Sequence, residues 1–305
     1  MQIAILNQYF LEREHLGTIE KEGKIIFPRR GASIRNCIQD AEIIIVDPFI
    51  TLLDTKVLDS AKKLKYIVTT TTSTEMLPMD YLLSRKIRVS NVPSYAANAV
   101  AESSIGMMLA LTRKIVEINS SVREKLFVID PAKPKQRELL TFELKNKTLG
   151  IIGLGKIGMK VARYAKCLGL NVIAYNRSKK NVRSFKQLPL ETVLKRSDII
   201  SLNLAVNSET IGFLSKKRLD QIKPGAYLIN LASDKLVDQN ALYKALKSRK
   251  IAGAALEVFP EWKNDNPLLK LDNVIFTALT AWYTKEALEN MAETVVSNIT
   301  NYAKR

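Results

Sequence analysis

Residues 147–158 read Lys147-Thr148-Leu149-Gly150-Ile151-Ile152-Gly153-Leu154-Gly155-Lys156-Ile157-Gly158, an apolar run that meets three glycines and then a helical pattern. Glycines at this spacing count for little alone, but a preceding strand and a following helix are the context that gives them meaning. Gly153 allows a tight turn, Gly155 lets the backbone approach a pyrophosphate, and Gly158 permits close packing of the helix. The helix opening at Lys156 and Ile157 then offers its free amides to phosphate oxygens. The stretch predicts a Rossmann-type dinucleotide-binding domain, spanning residues 97–280.

Short apolar runs continue in both directions. Strands are expected at 2–6, 41–46, 65–70, 87–92, 148–152, 171–175, 198–204, 226–230, 251–256 and 273–277, separated by helical patterns such as 53–62 and 156–168. Alternation of this kind calls for parallel sheets with helices on both faces. The expected fold is therefore α/β, with two doubly wound parallel-sheet domains. Residues 99–116 read as one long apolar helix, expected to cross between them. The final helix, 284–303, puts Leu288, Met291, Val295 and Ile299 on one stripe and is expected to return to the first domain. That makes residues 1–96 plus 281–305 the other domain, and a cleft between domains is the expected place for a site.

Composition bounds the function. With 305 residues, 47% of them hydrophobic, the chain can bury a large core. Its two cysteines, Cys37 and Cys167, form no disulfide framework, and no apolar run approaches the ~20 residues of a membrane span. A cytoplasmic protein without membrane association is expected. The net charge of +17 attracts phosphates of any kind, yet the lysines are scattered and no nucleic-acid motif accompanies them. Nucleic-acid association is the least favoured class.

At the end of the next strand, where an acid would accept ribose hydroxyls, the chain reads Asn176-Arg177-Ser178-Lys179. Without a carboxylate to repel it, a ribose 2′-phosphate could be held by these donors, which favours NADP over NAD.

The chain resembles the D-isomer-specific 2-hydroxyacid dehydrogenases, the group that includes glycerate and phosphoglycerate dehydrogenases, over nearly its full length. The resemblance is carried by Asn91-Val92-Pro93-Ser94-Tyr95 with Asn98-Ala99-Val100-Ala101-Glu102, by the glycine turn, by Glu209-Thr210-Ile211-Gly212, and by Ile222-Lys223-Pro224-Gly225-Ala226 before Leu228-Ile229-Asn230. It continues through Ile251-Ala252-Gly253-Ala254-Ala255-Leu256-Glu257-Val258-Phe259 and Asn273-Val274-Ile275-Phe276-Thr277. It implies a Rossmann domain inserted in a flavodoxin-like substrate domain, Thr210 at the cofactor, a homodimer built on the cofactor domains, and a small anionic substrate. It also implies hydride transfer at a 2-hydroxy or 2-keto acid, assisted by an arginine, a histidine and a glutamate.

Those three positions are altered. Ser233 stands where the arginine is expected, followed by Asp234, and Leu279 stands where the histidine is expected. Glu261 meets the glutamate position only after a one-residue slip. The first-domain turn that would bind the substrate carboxylate reads Thr71-Thr72-Ser73-Thr74-Glu75, where Ser73 and Thr74 add donors and Glu75 opposes an anion. The only histidine, His15, falls outside every motif and is expected on the surface or in a loop. The resulting reading is an NAD(P)-binding oxidoreductase on a 2-hydroxy or 2-keto acid or an altered substrate, with Lys235, Tyr95 or Tyr283 as substitute proton donors. The alternative is an inactive dinucleotide-binding sensor or scaffold.

Overall fold

A computed structural model of the chain describes residues 1–125, 128–130, 132–137, 139–257, 262 and 265–304. The chain divides into two compact units, Met1–Ala96 with Tyr283–Arg305, and Ala97–Trp282.

The first unit carries β1 (Gln2–Ile5), β2 (Lys24–Ile26), β3 (Ile43–Val46), β4 (Tyr66–Thr69) and β5 (Arg88–Ser90). They form one parallel sheet in the order β2-β1-β3-β4-β5. β3 reads Ile-Ile-Ile-Val and is buried throughout, as a central parallel strand covered on both faces must be. The C-terminal helix Lys285–Ala303 belongs to this unit. Thr284 caps it by accepting the Ala287 N–H at 3.2 Å, and Ala287, Met291, Val295 and Ile299 recur every fourth residue on its buried face. That face packs on the helix Arg13–Glu22 and on β4. His15 lies in the Arg13–Glu22 helix rather than in a loop. Its Nδ1 accepts the Glu12 N–H, and its Nε2 lies 3.3 Å from Glu289.

The second unit carries β6 (Thr148–Ile152), β7 (Asn171–Tyr175), β8 (Lys186–Gln187), β9 (Ile199–Leu202), β10 (Ala226–Asn230), β11 (Ile251–Glu257) and β12 (Val274–Thr277). Its parallel sheet has the order β12-β11-β10-β9-β6-β7-β8. Strand order reverses between β6 and β9, the arrangement of a Rossmann sheet. Successive residues feed opposite cores: Ile200 and Leu228 join one buried layer, Ile199 and Ile229 the other. The two units thus have the expected class, a Rossmann sheet and a flavodoxin-like sheet.

Three expectations about elements are corrected. The apolar stretch 99–116 is two helices, Ala97–Thr112 and Ile115–Arg123, because Lys114 takes a left-handed φ of 50°. The 53–62 pattern yields only Thr55–Leu58, capped by Asp54, before the chain turns. β2 and β8 escaped the sequence reading because short edge strands carry too few residues to show alternation.

Candidate functional site

The glycine turn forms at the C-terminal end of β6. Gly153 has φ +98° and faces the Asn203 carbonyl beyond β9, so an added Cβ there would overlap backbone in a conformation that disfavours it. Gly158 sits directly against the Gly153 carbonyl, which leaves no room for a side chain. Gly155 is different, since nothing lies within 4 Å of where its Cβ would be. It is the N-cap of the helix Lys156–Cys167 and supplies no side-chain cap, so the first-turn amides, Lys156 and Ile157 among them, stay open to a ligand's oxygens. Open space at Gly155 over uncapped amides fits a dinucleotide pyrophosphate.

The end of β7 braces this turn. Asn176 accepts the Leu154 N–H at 2.9 Å through Oδ1, and its Nδ2 donates to the Ser178 carbonyl at 2.8 Å and hydroxyl at 3.2 Å. A neutral amide thus takes the place where an acid would meet the ribose. Arg177 pairs with Glu209 on the exposed surface, while Ser178 and Lys179 are exposed beside it. Thr210 is turned inward on its own loop. Its hydroxyl donates to the Ala205 carbonyl at 2.7 Å and accepts the Asn207 N–H at 2.8 Å.

Two of the positions read as altered follow strands of this sheet, Ser233 after β10 and Leu279 after β12. Buried Asn230 pins the turn after β10, with Nδ2 donating to the Ser233 carbonyl at 2.7 Å and Oδ1 accepting the Ala232 and Ser233 amides. Ser233 is buried and caps the short helix Asp234–Leu236, its Oγ accepting the Lys235 N–H at 3.2 Å. The next carboxylate, Asp234, accepts the Trp262 indole N–H at 2.8 Å, and Trp262 meets Phe276 edge to face. A fixed negative charge therefore stands next to the position where a cation was expected. Leu279 is half-buried with φ 53°, and Lys235 is exposed. Glu261 lies outside the described residues.

Sequence reading passed over Glu257. It ends β11, is 4% exposed, and accepts the Ala281 N–H at 2.8 Å and the Thr277 hydroxyl at 3.4 Å. Burial, partly offset by these donors, raises its pKa above the usual carboxylate range. The signal was an acid closing an otherwise apolar strand.

In the first unit, the turn after β4 satisfies much of itself. The Thr71 hydroxyl donates to the Ser73 carbonyl at 2.6 Å, and Ser73 Oγ accepts the Glu75 N–H at 3.2 Å, which leaves the Ser73 proton for another acceptor. Thr74 is half-buried and Glu75 is exposed. Burial, then the Asp47 charge, holds the Tyr95 phenol well above its ordinary pKa, which makes it a poor proton donor near neutrality. Tyr283 is exposed.

Residues 105–281 match the family model described as the NAD-binding domain of D-isomer-specific 2-hydroxyacid dehydrogenases. The chain is 34% identical to a D-3-phosphoglycerate dehydrogenase of Archaeoglobus fulgidus over 96% of its own length, and spans 56% of that longer relative. It is 37% identical to a glyoxylate reductase of Thermococcus litoralis over 85% of this chain and 81% of that one. Among solved structures it is similar to an acyclic imino acid reductase in complex with NADPH and D-Arg, with TM-score 0.88, 34% identity, and coverage of 99% and 97% of the two chains.

Proposed function

The chain belongs to the D-isomer-specific 2-hydroxyacid dehydrogenase family, and from that premise we propose that it is a nicotinamide-dependent reductase of small 2-imino acids, using NADPH before NADH. The observation that carries the reading is the character of the side chains at the positions read as the family's: no titrating group at Leu279, and a single charge, the carboxylate of Asp234, beside the uncharged Ser233. A dinucleotide held at Gly153–Gly158 supplies hydride. When a ketone accepts hydride, the new alkoxide needs a proton from a neighbouring acid, and an aliphatic side chain has none to give. A protonated imine needs no such acid. Its carbon takes the hydride, the C=N π pair returns to nitrogen, and the neutral amine so formed takes a proton from water.

Electrostatics favour the same substrate. Asp234 repels an anion but suits a cationic iminium, whereas the lost arginine would have clamped a keto acid. On the first unit, Ser73 and Thr74 are assigned as donors to an anion. A relative named for imino acid reduction, solved with NADPH, supports both substrate and cofactor. For the cofactor, neutral Asn176 removes repulsion from a 2′-phosphate, and Ser178, Lys179 and Arg177 supply donors, the last after exchanging an exposed ion pair worth about 0–1 kcal/mol. Calorimetry should show NADPH binding more tightly than NADH, with the gap narrowing in high salt. Equal affinities would end that assignment. The assembly is assigned as a homodimer through the unit Ala97–Trp282.

The deciding assay follows NADPH oxidation with a set of small 2-oxo acids, each with and without excess ammonia or methylamine to form the imine. Oxidation that depends on the amine is expected. Equal, robust turnover of the 2-oxo acids alone refutes the imine reading. No oxidation under either condition, with NADPH binding intact, favours the dinucleotide-binding sensor instead.

A further inference from the structure

The five-stranded sheet has its own reversal of strand order. The chain runs from β1 outward to β2, then restarts at β3 on the other side of β1. Ligands of open parallel sheets bind beyond the C-terminal strand ends at such a reversal. Asn7 follows β1 and Asp47 follows β3. Asn7 Oδ1 accepts the Asp47 N–H at 2.8 Å, and its Nδ2 donates to Thr51 Oγ1 at 3.2 Å, so one amide ties the two strand ends together.

The Asp47 side chain is the unusual member. The residue is 7% exposed; Oδ1 accepts the Phe49 N–H at 3.0 Å and Oδ2 the Tyr9 phenol at 2.7 Å. A carboxylate has about four lone-pair positions, so two remain. Among the described residues no lysine or arginine is paired with it, in a chain carrying +17. Desolvated carboxylates are costly without a cation, and this one has been left without the commonest partner on the molecule. Thr70, after β4, is fully buried beside the same phenol, yet its hydroxyl makes no hydrogen bond of good geometry. A buried hydroxyl whose one polar neighbour is that phenol, next to a carboxylate with no cation, leaves hydrogen-bonding capacity unused at these strand ends. Burial first, then Asp47, drives the Tyr9 phenol far above its ordinary pKa, so the phenol keeps its proton and adds no second negative charge beside the carboxylate. The turn bearing Asp47 also exposes Phe49 (52%) and Ile50 (64%), an apolar approach to that charge.

We propose that the C-terminal ends of β1, β3 and β4 bind the cationic end of an aliphatic chain, an alkylammonium or a guanidinium, with Asp47 as its charge partner and Tyr9 and Thr70 beside it. As a statement about substrate this rests on the reductase reading above: the imino acid carries a basic side chain. The carboxylate-binding turn Thr71–Glu75 follows β4, the strand next to β3, so both ends of such an acid meet one edge of one sheet.

The test is calorimetry on the full chain, with and without NADPH, using arginine and its neutral isostere citrulline. Both carry the same α-ammonium and carboxylate, so the difference isolates the guanidinium. Arginine should bind on the order of ten-fold more tightly or better, as expected when a buried ionic hydrogen bond is lost. Asp47→Asn, which keeps an acceptor for the Phe49 amide, should abolish that preference. Equal affinities for the two probes in the unaltered protein, no arginine binding at millimolar concentration, or a preference that survives Asp47→Asn would each overturn the proposal. Arginine preference without NADPH-dependent turnover leaves the site standing and removes the reductase. Turnover of neutral imino acids without arginine preference does the reverse.

Discussion

Gly155 and Gly158 look alike in sequence and are constrained by different things. Gly158 is small because backbone already occupies the space, whereas Gly155 faces empty volume over uncapped amides. Gly155→Val should therefore leave folding nearly intact, at a cost of at most about 1 kcal/mol for a poorer N-cap. Dinucleotide affinity should drop by at least about ten-fold because the pyrophosphate cannot approach. Thermal melting and fluorescence titration with NADPH separate the two, and full retention of binding would remove the turn from the cofactor site. Glu257 gives a second residue-scale prediction with a defined sign. Its folded pKa is raised by burial, so its favourable contribution exists below the unfolded carboxylate pKa and is lost as pH rises through the folded value. Glu257→Gln keeps an acceptor for Ala281 but cannot ionise. In denaturant titrations the variant should match the parent at acidic pH and become relatively more stable as pH increases above the ordinary glutamate range. A parent that gains on the variant with rising pH would show that the charged form is the favoured one.

At the scale of elements, caps and breaks matter more than helix propensity. The C-terminal helix has one side-chain cap, Thr284, and a buried stripe of Ala287, Met291, Val295 and Ile299 against the first unit. Thr284→Ala should lower stability by about 1 kcal/mol, visible as an earlier denaturant midpoint with unchanged NADPH affinity. A larger loss, shared by cofactor binding, would mean that the cap holds more than its own helix. The break at Lys114 shows the converse. The apolar residues on both sides of it read as one continuous helix, and only a backbone held at positive φ divides them.

For the whole molecule, charge and exposed apolar surface gather on the same unit. Of the net +17, the second unit holds +15 (31 Lys and Arg against 16 Asp and Glu), and the apolar side chains of Val122 (44% exposed), Val128 (79%) and Leu140 (83%) all fall within one stretch of it. Scattered exposed apolar residues are ordinary, but a concentration of this kind suits an interface. Light scattering at micromolar concentration should give twice the 34.3 kDa chain mass, and Val122→Glu with Leu140→Glu should shift the protein toward monomer. A monomer for the unaltered chain would refute the assignment. Among the described residues no helix is long and apolar enough to cross a membrane.

The parallel-sheet class, the glycine turn and family membership are all legible in the sequence, because each is written in contiguous residues: four-residue apolar runs, a glycine spacing, ordered motifs. Ser233 and Leu279 are read as substitutions from contiguous motifs in the same way. What the tertiary structure decided concerns groups distant in the chain. Asn7, Tyr9, Asp47 and Thr70 belong to no common motif and meet only because parallel pairing of β1, β3 and β4 aligns their C-terminal ends. Trp262 finds Asp234, Ala281 finds Glu257, and Asn176 braces Leu154 through the same alignment of strand ends in the other sheet. Local pattern reports which face a residue prefers. Which charge lacks a partner depends on strand order and register, and these are set by packing across the whole sheet.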